Sequence, residues 1–117
     1  MSKRGTVPAL KDILEAISRI ERYVGKAKLG EFMANTETQD AVVRNLEIIG
    51  EAVRNLQPDF RTVHPEVEWA RIAGIRDRLI HQYFSVDWDI LWDVVSDKLP
   101  ALKIQVERIL DEMKSAE

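Results

Sequence analysis

Apolar residues recur along this chain at three- and four-residue intervals, and no stretch sustains the two-residue alternation of a half-buried strand. That spacing predicts helices throughout. Leu10, Ile13, Leu14, Ile17, Ile20 and Val24 form a first stripe, with Pro8 suited to the opening turn and Gly25 to the exit. The short piece LGEFMAN follows. Thr36 and Gln39 have the spacing of a capping box and open a second long helix to about Leu56, with Val42, Leu46, Ile49, Ala52, Val53 and Leu56 as its core stripe. Arg44, Glu47, Glu51 and Arg54 fall opposite that stripe and read mostly as a solvated ion-pair face; whether Arg44, Glu47 and Glu51 border a functional cleft is left open by the sequence. QPDFRTVHP reads as a loop, with His64 a plain loop residue, and Pro65 starts a third long helix to about Phe84. Asp87 is placed as the next N-cap, with Val86 and Leu91 as a hydrophobic staple. The last helix turns Trp88, Leu91, Trp92, Val95, Leu99, Leu102, Val106, Ile109 and Met113 toward a core, and Pro100 inside it should kink or split it. The predicted fold is all-α: an antiparallel bundle of four long helices plus a short one.

The chain's 117 residues suit one domain over residues 1–117, with residues 1–7, including Lys3 and Arg4, as a flexible arm. No apolar run approaches a membrane span, and the N-terminal MSKRGTVPAL has no secretory core, which points to a cytoplasmic protein without a membrane partner. The absence of cysteine excludes a disulfide framework and a thiolate zinc site. Two histidines, His64 and His81, are too few for an ordinary histidine metal site, so neither metal nor other cofactor is expected. A net charge of −3 gives no overall field favouring nucleic acid, which would need a local basic patch.

One stretch carries candidate chemistry: RDRLIHQYF, from Arg76 to Phe84. On a continuous helical wheel, Trp69, Ile72, Ile75, Leu79, Ile80 and Tyr83 form the apolar face, and Glu68, Arg71, Arg78 and Gln82 a polar one. Ala70, Ala73, Gly74, Asp77 and His81 form a third face, small enough for another backbone to approach closely. Arg76 falls within the apolar set, where a leucine would be ordinary. Taken alone, it reads as a snorkelling arginine whose head reaches water or a carboxylate. Asp77 and His81, four apart on a helix, can hydrogen-bond and favour the charged imidazole. Tyr83 alone reads as packing at the edge of the core.

Together these residues resemble a known pattern. R-x-x-x-x-H-x-Y on a late helix of a small bundle resembles the HepT-like branch of the HEPN superfamily, matched here by Arg76, His81 and Tyr83. The flanking text supports it: NLEIIGEAVRNL in the second long helix, then WARIAGIRDRLIHQYFSVDWDILWDVV. The likeness runs from about Pro8 to Leu110. It implies a homodimeric, metal-independent ribonuclease toxin of a type VII-like toxin–antitoxin pair. RNA would be cut in a cleft at the dimer two-fold, where each subunit supplies its Arg76 and His81. The implied partner is a nucleotidyltransferase antitoxin of the MNT type, which silences the toxin by transferring AMP to Tyr83.

These residue types suit that chemistry. RNA carries its own nucleophile, the 2′-hydroxyl; a histidine near neutral pKa can move the proton, and an arginine can hold two phosphate oxygens. On one continuous helix, Arg76 and His81 would diverge by about 140°, which a two-fold pairing of histidine-bearing faces would answer. Two positions depart from the family pattern: Asp77 stands where asparagine is usual, and Gln82 where glycine is usual. Asp77 is expected to support His81 as a general acid while repelling phosphate. Arg71 and Arg78, with the Lys3–Arg4 arm, are candidates for an RNA track. The competing reading is a non-catalytic HEPN module that only binds the nucleotidyltransferase.

Overall fold

The computed structural model describes residues 5–82 and 85–116, with backbone alone at 80–82 and 85. Its elements are α1 (Thr6–Val24), α2 (Leu29–Met33), α3 (Thr36–Arg54), α4 (Pro58–Val63), α5 (Trp69–Ala73) and α6 (Ile75–Leu79). They continue with β1 (Ile80–Gln82), β2 (Ser85–Val86), α7 (Trp88–Asp93), a π-helical segment (Val94–Lys98) and α8 (Leu99–Ser115). The fold is the all-α bundle that the periodicity predicts, with one short antiparallel ribbon, β1–β2, added to it.

The stripes become one core. Leu10, Ile13, Ile17 and Ile20 of α1 meet Val42, Leu46, Ile49 and Val53 of α3, and Leu91, Leu99, Leu102, Val106 and Ile109 close over them. Burying each such side chain is worth about 1.5–3 kcal/mol before conformational entropy opposes it. Gly25 ends α1 at φ 57°, a left-handed backbone that glycine adopts without strain. Because α1 begins at Thr6, residues 6 and 7 of the expected arm belong to the helix; residues 1–4 lie outside the described residues. The short α2 is anchored by Phe32, which is buried with its ring centroid 5.9 Å from Trp88 and 5.1 Å from Trp92.

Several boundaries differ from the sequence reading. The cap of α3 is Asn35, whose Oδ1 accepts from Thr38 N at 3.0 Å; Gln39 instead turns back and donates to the carbonyls of Phe32 and Met33. A second oxygen acceptor one residue before Thr36 competes for the same orphan N–H groups, and asparagine is the better cap. The QPDFRTVHP loop contains α4, with Pro58 in its first turn. His64 lies in the loop between α4 and α5, as expected, and makes specific contacts there. Its ring packs 4.7 Å from Phe60, its Nδ1 lies 3.7 Å from Glu66, and its carbonyl accepts from Trp69 Nε1 at 2.9 Å. It is the pivot of the corner between α4 and α5.

The third long helix is the largest correction. It starts at Trp69 rather than Pro65, is interrupted at Gly74, and ends at Leu79 rather than near Phe84. Beyond Leu79 the run Ile80, Tyr83, Phe84, Val86 is β-branched and aromatic, types that favour extended backbone. Asp87, which must be extended to cap α7, pulls the same way: its Oδ1 accepts from Ile90 N at 3.1 Å. Val86 and Leu91 both reach the core, as the predicted staple requires. Pro100 does split the last helix. Leu99 N donates to Val94 O, five residues back, so the chain passes through a π turn just before the proline. That wider turn gives the ring room that an α-turn denies it.

The rods run antiparallel where side chains tie them. Lys103, early in α8, pairs with Glu21, late in α1, at 3.2 Å. Gly50 of α3 faces the backbone of Ala73 in α5, while Glu47, one turn earlier in α3, meets Arg76, one turn later. A β-carbon on Gly50 would stand 3.3 Å from Ala73 O and 3.5 Å from Ile72 O, both backbone atoms. Gly50→Val should therefore destabilise the fold by about 1–3 kcal/mol, lowering the melting temperature by roughly 5–10 °C. Gly30→Ala, at a position with open space around it, serves as the control and should leave the melting temperature level or slightly raised. Thermal unfolding followed by circular dichroism measures both.

Candidate ribonuclease site

Arg76 sits in the first turn of α6, on the flank of a buried arc made by Ile75 and Leu79 with Ile72 beside them. Its side chain is 54% exposed, and its Nε donates to Glu47 Oε2 at 3.1 Å. This is the contact to a carboxylate that a snorkelling arginine makes, and it spans two helices. An arginine carries five N–H donors in a planar fork. Glu47 takes the Nε–H, and the terminal amines have no partner among the described residues. The guanidinium is thus held from one side with its outer edge presented to solvent.

Around that edge lies a recess of about 220 Å³ lined by Arg44, Glu47, Gly50, Glu51 and Arg54 of α3 and by Ala73, Ile75 and Arg76. The ion-pair face of α3, read from sequence as mostly solvated with its place at a cleft left open, borders Arg76. Glu51 and Arg54 are paired at 3.6 Å, and Arg44 is exposed. The contact of Glu47 with Arg76 is what sequence reasoning did not find. Its signal was available only in the fold: nothing in local spacing links positions 29 residues apart.

Arg71 and Arg78 lie elsewhere. With Glu68, Asp93, Asp97 and Lys98 they rim a different groove, between α5–α6 and the π segment, floored by Ile72, Ile90, Val94 and Leu102. Arg71 is bonded to Glu68 at 2.9 Å, and that hydrogen bond and charge hold the Glu68 carboxyl below its ordinary value. The cations beside Arg76 are those of α3, Arg44 and Arg54.

The remaining motif residues follow the chain off the helix. Asp77 is exposed on α6. His81 occupies the middle of β1, and its side chain lies outside the described residues, as does all of Tyr83. Since the helix ends at Leu79, helical spacing does not relate Asp77 to His81 or Arg76 to Tyr83, and the 140° divergence of Arg76 and His81 does not apply. What the backbone establishes is a tight return. Asp87 N donates to Leu79 O at 2.8 Å, and Ile80 pairs with Val86 and Gln82 with Ser85. The backbone of His81 is therefore carried on a short ribbon that starts and ends beside the end of α6. The small-residue face is divided as well: Ala73 packs on Gly50 of its own chain, while Ala70 and Asp77 are exposed.

Comparison with known proteins identifies the family. The family model described as "Ribonuclease HepT-like" matches residues 13–109. The chain belongs to that family. Among its relatives, "Probable ribonuclease HepT" of Thermococcus cleftensis is 44% identical over 107 residues, covering 92% of this chain and 97% of that one. "Putative RNase MJ0127" of Methanocaldococcus jannaschii is 40% identical over 114 residues, covering 97% of this chain and 94% of that one. No solved structure matches the chain at a significant level. Among the described residues, no helix of this HepT-like chain is long and apolar enough to cross a membrane.

Proposed function

We propose that this HepT-like chain is an RNA-cleaving toxin, a metal-independent endoribonuclease working in the cytoplasm as one half of a type VII-like toxin–antitoxin pair. The observation that carries the reading is the guanidinium of Arg76: exposed, pinned at Nε by Glu47, and free at its terminal amines among the described residues. That edge matches two oxygens of a phosphate. In the reaction, the 2′-oxygen attacks the adjacent phosphorus as its proton leaves, the bond to the 5′-oxygen breaks, and that oxygen takes up a proton. The products are a 2′,3′-cyclic phosphate and a 5′-hydroxyl. His81 is the group that moves the proton, and Arg76 stabilises the charge that builds on the phosphoryl oxygens. Asp77, beside Arg76 on α6, is the supporting residue of this reading.

The reading includes a homodimer in which two such sites share one cleft. Its contact centres on the exposed part of the small-residue face, Ala70 and Asp77, together with the loop that carries His81. Sedimentation at micromolar concentration should give the mass of two chains; a monomer alone would overturn this arrangement.

Arg76→Ala and His81→Ala should each lower RNA cleavage by at least about 100-fold, in line with loss of a charge-stabilising or acid–base group. The far-ultraviolet dichroism of both variants should match the parent, as expected for residues that act in the chemistry. Cleavage should persist in excess EDTA and leave cyclic phosphate ends; loss of activity on chelation would overturn the metal-free mechanism. Expression of the chain alone should arrest bacterial growth, and His81→Ala should relieve it. Intact RNA and unimpaired growth would favour the module that only binds a nucleotidyltransferase.

The partner in this reading is a nucleotidyltransferase antitoxin of the MNT type, and Tyr83 is its target. Tyr83 lies two residues beyond His81 in the sequence, so in this reading an added AMP would bring a phosphate and a bulky nucleoside close to the motif histidine. Co-expression with such an enzyme should add one or more AMP masses to Tyr83, read by peptide mass spectrometry. Tyr83→Phe should stay toxic and resist silencing. Equal silencing of Tyr83→Phe, with no AMP on the parent, would mean inhibition by binding alone.

A further inference from the structure

We infer that Glu47 is a positioning residue for the phosphate-gripping edge of Arg76, a role that rests on the ribonuclease reading and adds to the site a residue outside the R-x-x-x-x-H-x-Y motif. Four observations converge on it. Glu47 comes from α3 and reaches across to α6, so the contact joins two separately anchored helices rather than neighbours on one. It engages Nε, the one donor whose capture leaves both terminal amines free to bind a phosphate end-on. Glu51, one turn away on α3, pairs with Arg54 instead, so the α3 carboxylate bonded to Arg76 is that of Glu47. Finally, the two backbones are held in register beneath the pair by the close approach of Gly50 to Ala73, which fixes where the carboxylate stands.

The contact has little other purpose. With side chains 54% and 36% exposed, it is an ion pair of the kind that adds almost nothing to folding. Its effect is on freedom: an arginine head on a long stem samples many rotamers, and a carboxylate at Nε selects one orientation of the fork. Displacing a phosphate-binding group by about 1 Å can lower a rate about 100-fold. The negative charge of Glu47 also stands near the bound phosphate, so positioning and repulsion act together and can be separated by substitution. Glutamine keeps an oxygen acceptor for Nε–H and removes the charge. Alanine removes both.

Steady-state cleavage of a single-stranded RNA oligonucleotide by the full-length parent, Glu47→Gln, Glu47→Ala and Arg76→Ala tests this. For Glu47→Ala, kcat should fall about 10- to 100-fold with KM changed less than about 3-fold. Glu47→Gln should keep kcat within about 3-fold of the parent and show a lower KM, because the acceptor remains and the repulsion is gone. Melting temperatures of the Glu47 variants should lie within about 2 °C of the parent, as for a surface pair. The inference is overturned if Glu47→Ala keeps the parental kcat, or if Glu47→Gln loses as much as Glu47→Ala. Loss of cleavage in Arg76→Ala with full activity in Glu47→Ala removes the positioning role alone. A parent that does not cleave RNA, or an Arg76→Ala protein that still does, removes the ribonuclease reading and this inference with it.

Discussion

The carbonyl of Ala73 lies where a β-carbon on residue 50 would come within 3.3 Å of it, and much of the molecule depends on that closeness. A residue without a side chain lets α3 and α5 meet backbone to backbone; a β-carbon there would make the facing backbone give by a few tenths of an ångström. Once they do, positions one turn away on each helix are also brought together, and Glu47 reaches Arg76. The same contact orients the buried arc of α5 and α6, so Trp69, Ile75 and Leu79 enter the core while Arg76 stays on its rim. A buried packing constraint thus sets the geometry of an exposed charged pair.

A second constraint acts at the far end of α6. The Leu79 carbonyl would be an unsatisfied group at a helix C-terminus, and the Asp87 N–H satisfies it. Asp87 therefore serves both neighbours: its backbone closes the ribbon and its carboxylate starts α7. Between Leu79 and Asp87 the chain has only a few residues in which to turn around, and His81 falls among them. Arg76 stands on α6 and His81 on the ribbon that follows it, so the two do not share one rigid rod.

Most of the core was legible in the sequence because burial imposes a period that can be counted. The stripes of α1, α3 and α8, the exit at Gly25, the cap at Asp87 and the break before Pro100 all follow from local rules, and the structure realises each. The errors came where two local signals competed. Asn35 and Thr36 can both cap, and asparagine won. Ile80 continues an apolar helical stripe, but it also begins a β-branched and aromatic run ahead of a residue that must be extended, and the extended state won. Arg76 and His81 stood out as candidates because their types and spacing are unusual. The contact of Glu47 with Arg76 was not legible, since a glutamate among alternating charges on a helix surface looks like every other one until the facing helix is in place.

The π turn from Val94 to Lys98 has a consequence for how the long C-terminal rod keeps time. On an unbroken α-helix, Val94 and Leu99 would point away from each other, being five residues apart. Here both are buried, as are Leu91 before them and Leu102, Val106 and Ile109 after. The wide turn takes up one extra residue, so Val94 and Leu99 both reach the core on which the rest of that one stripe packs. The rod behaves like a screw with one thread locally stretched, and the stretch falls where the proline ring needs room.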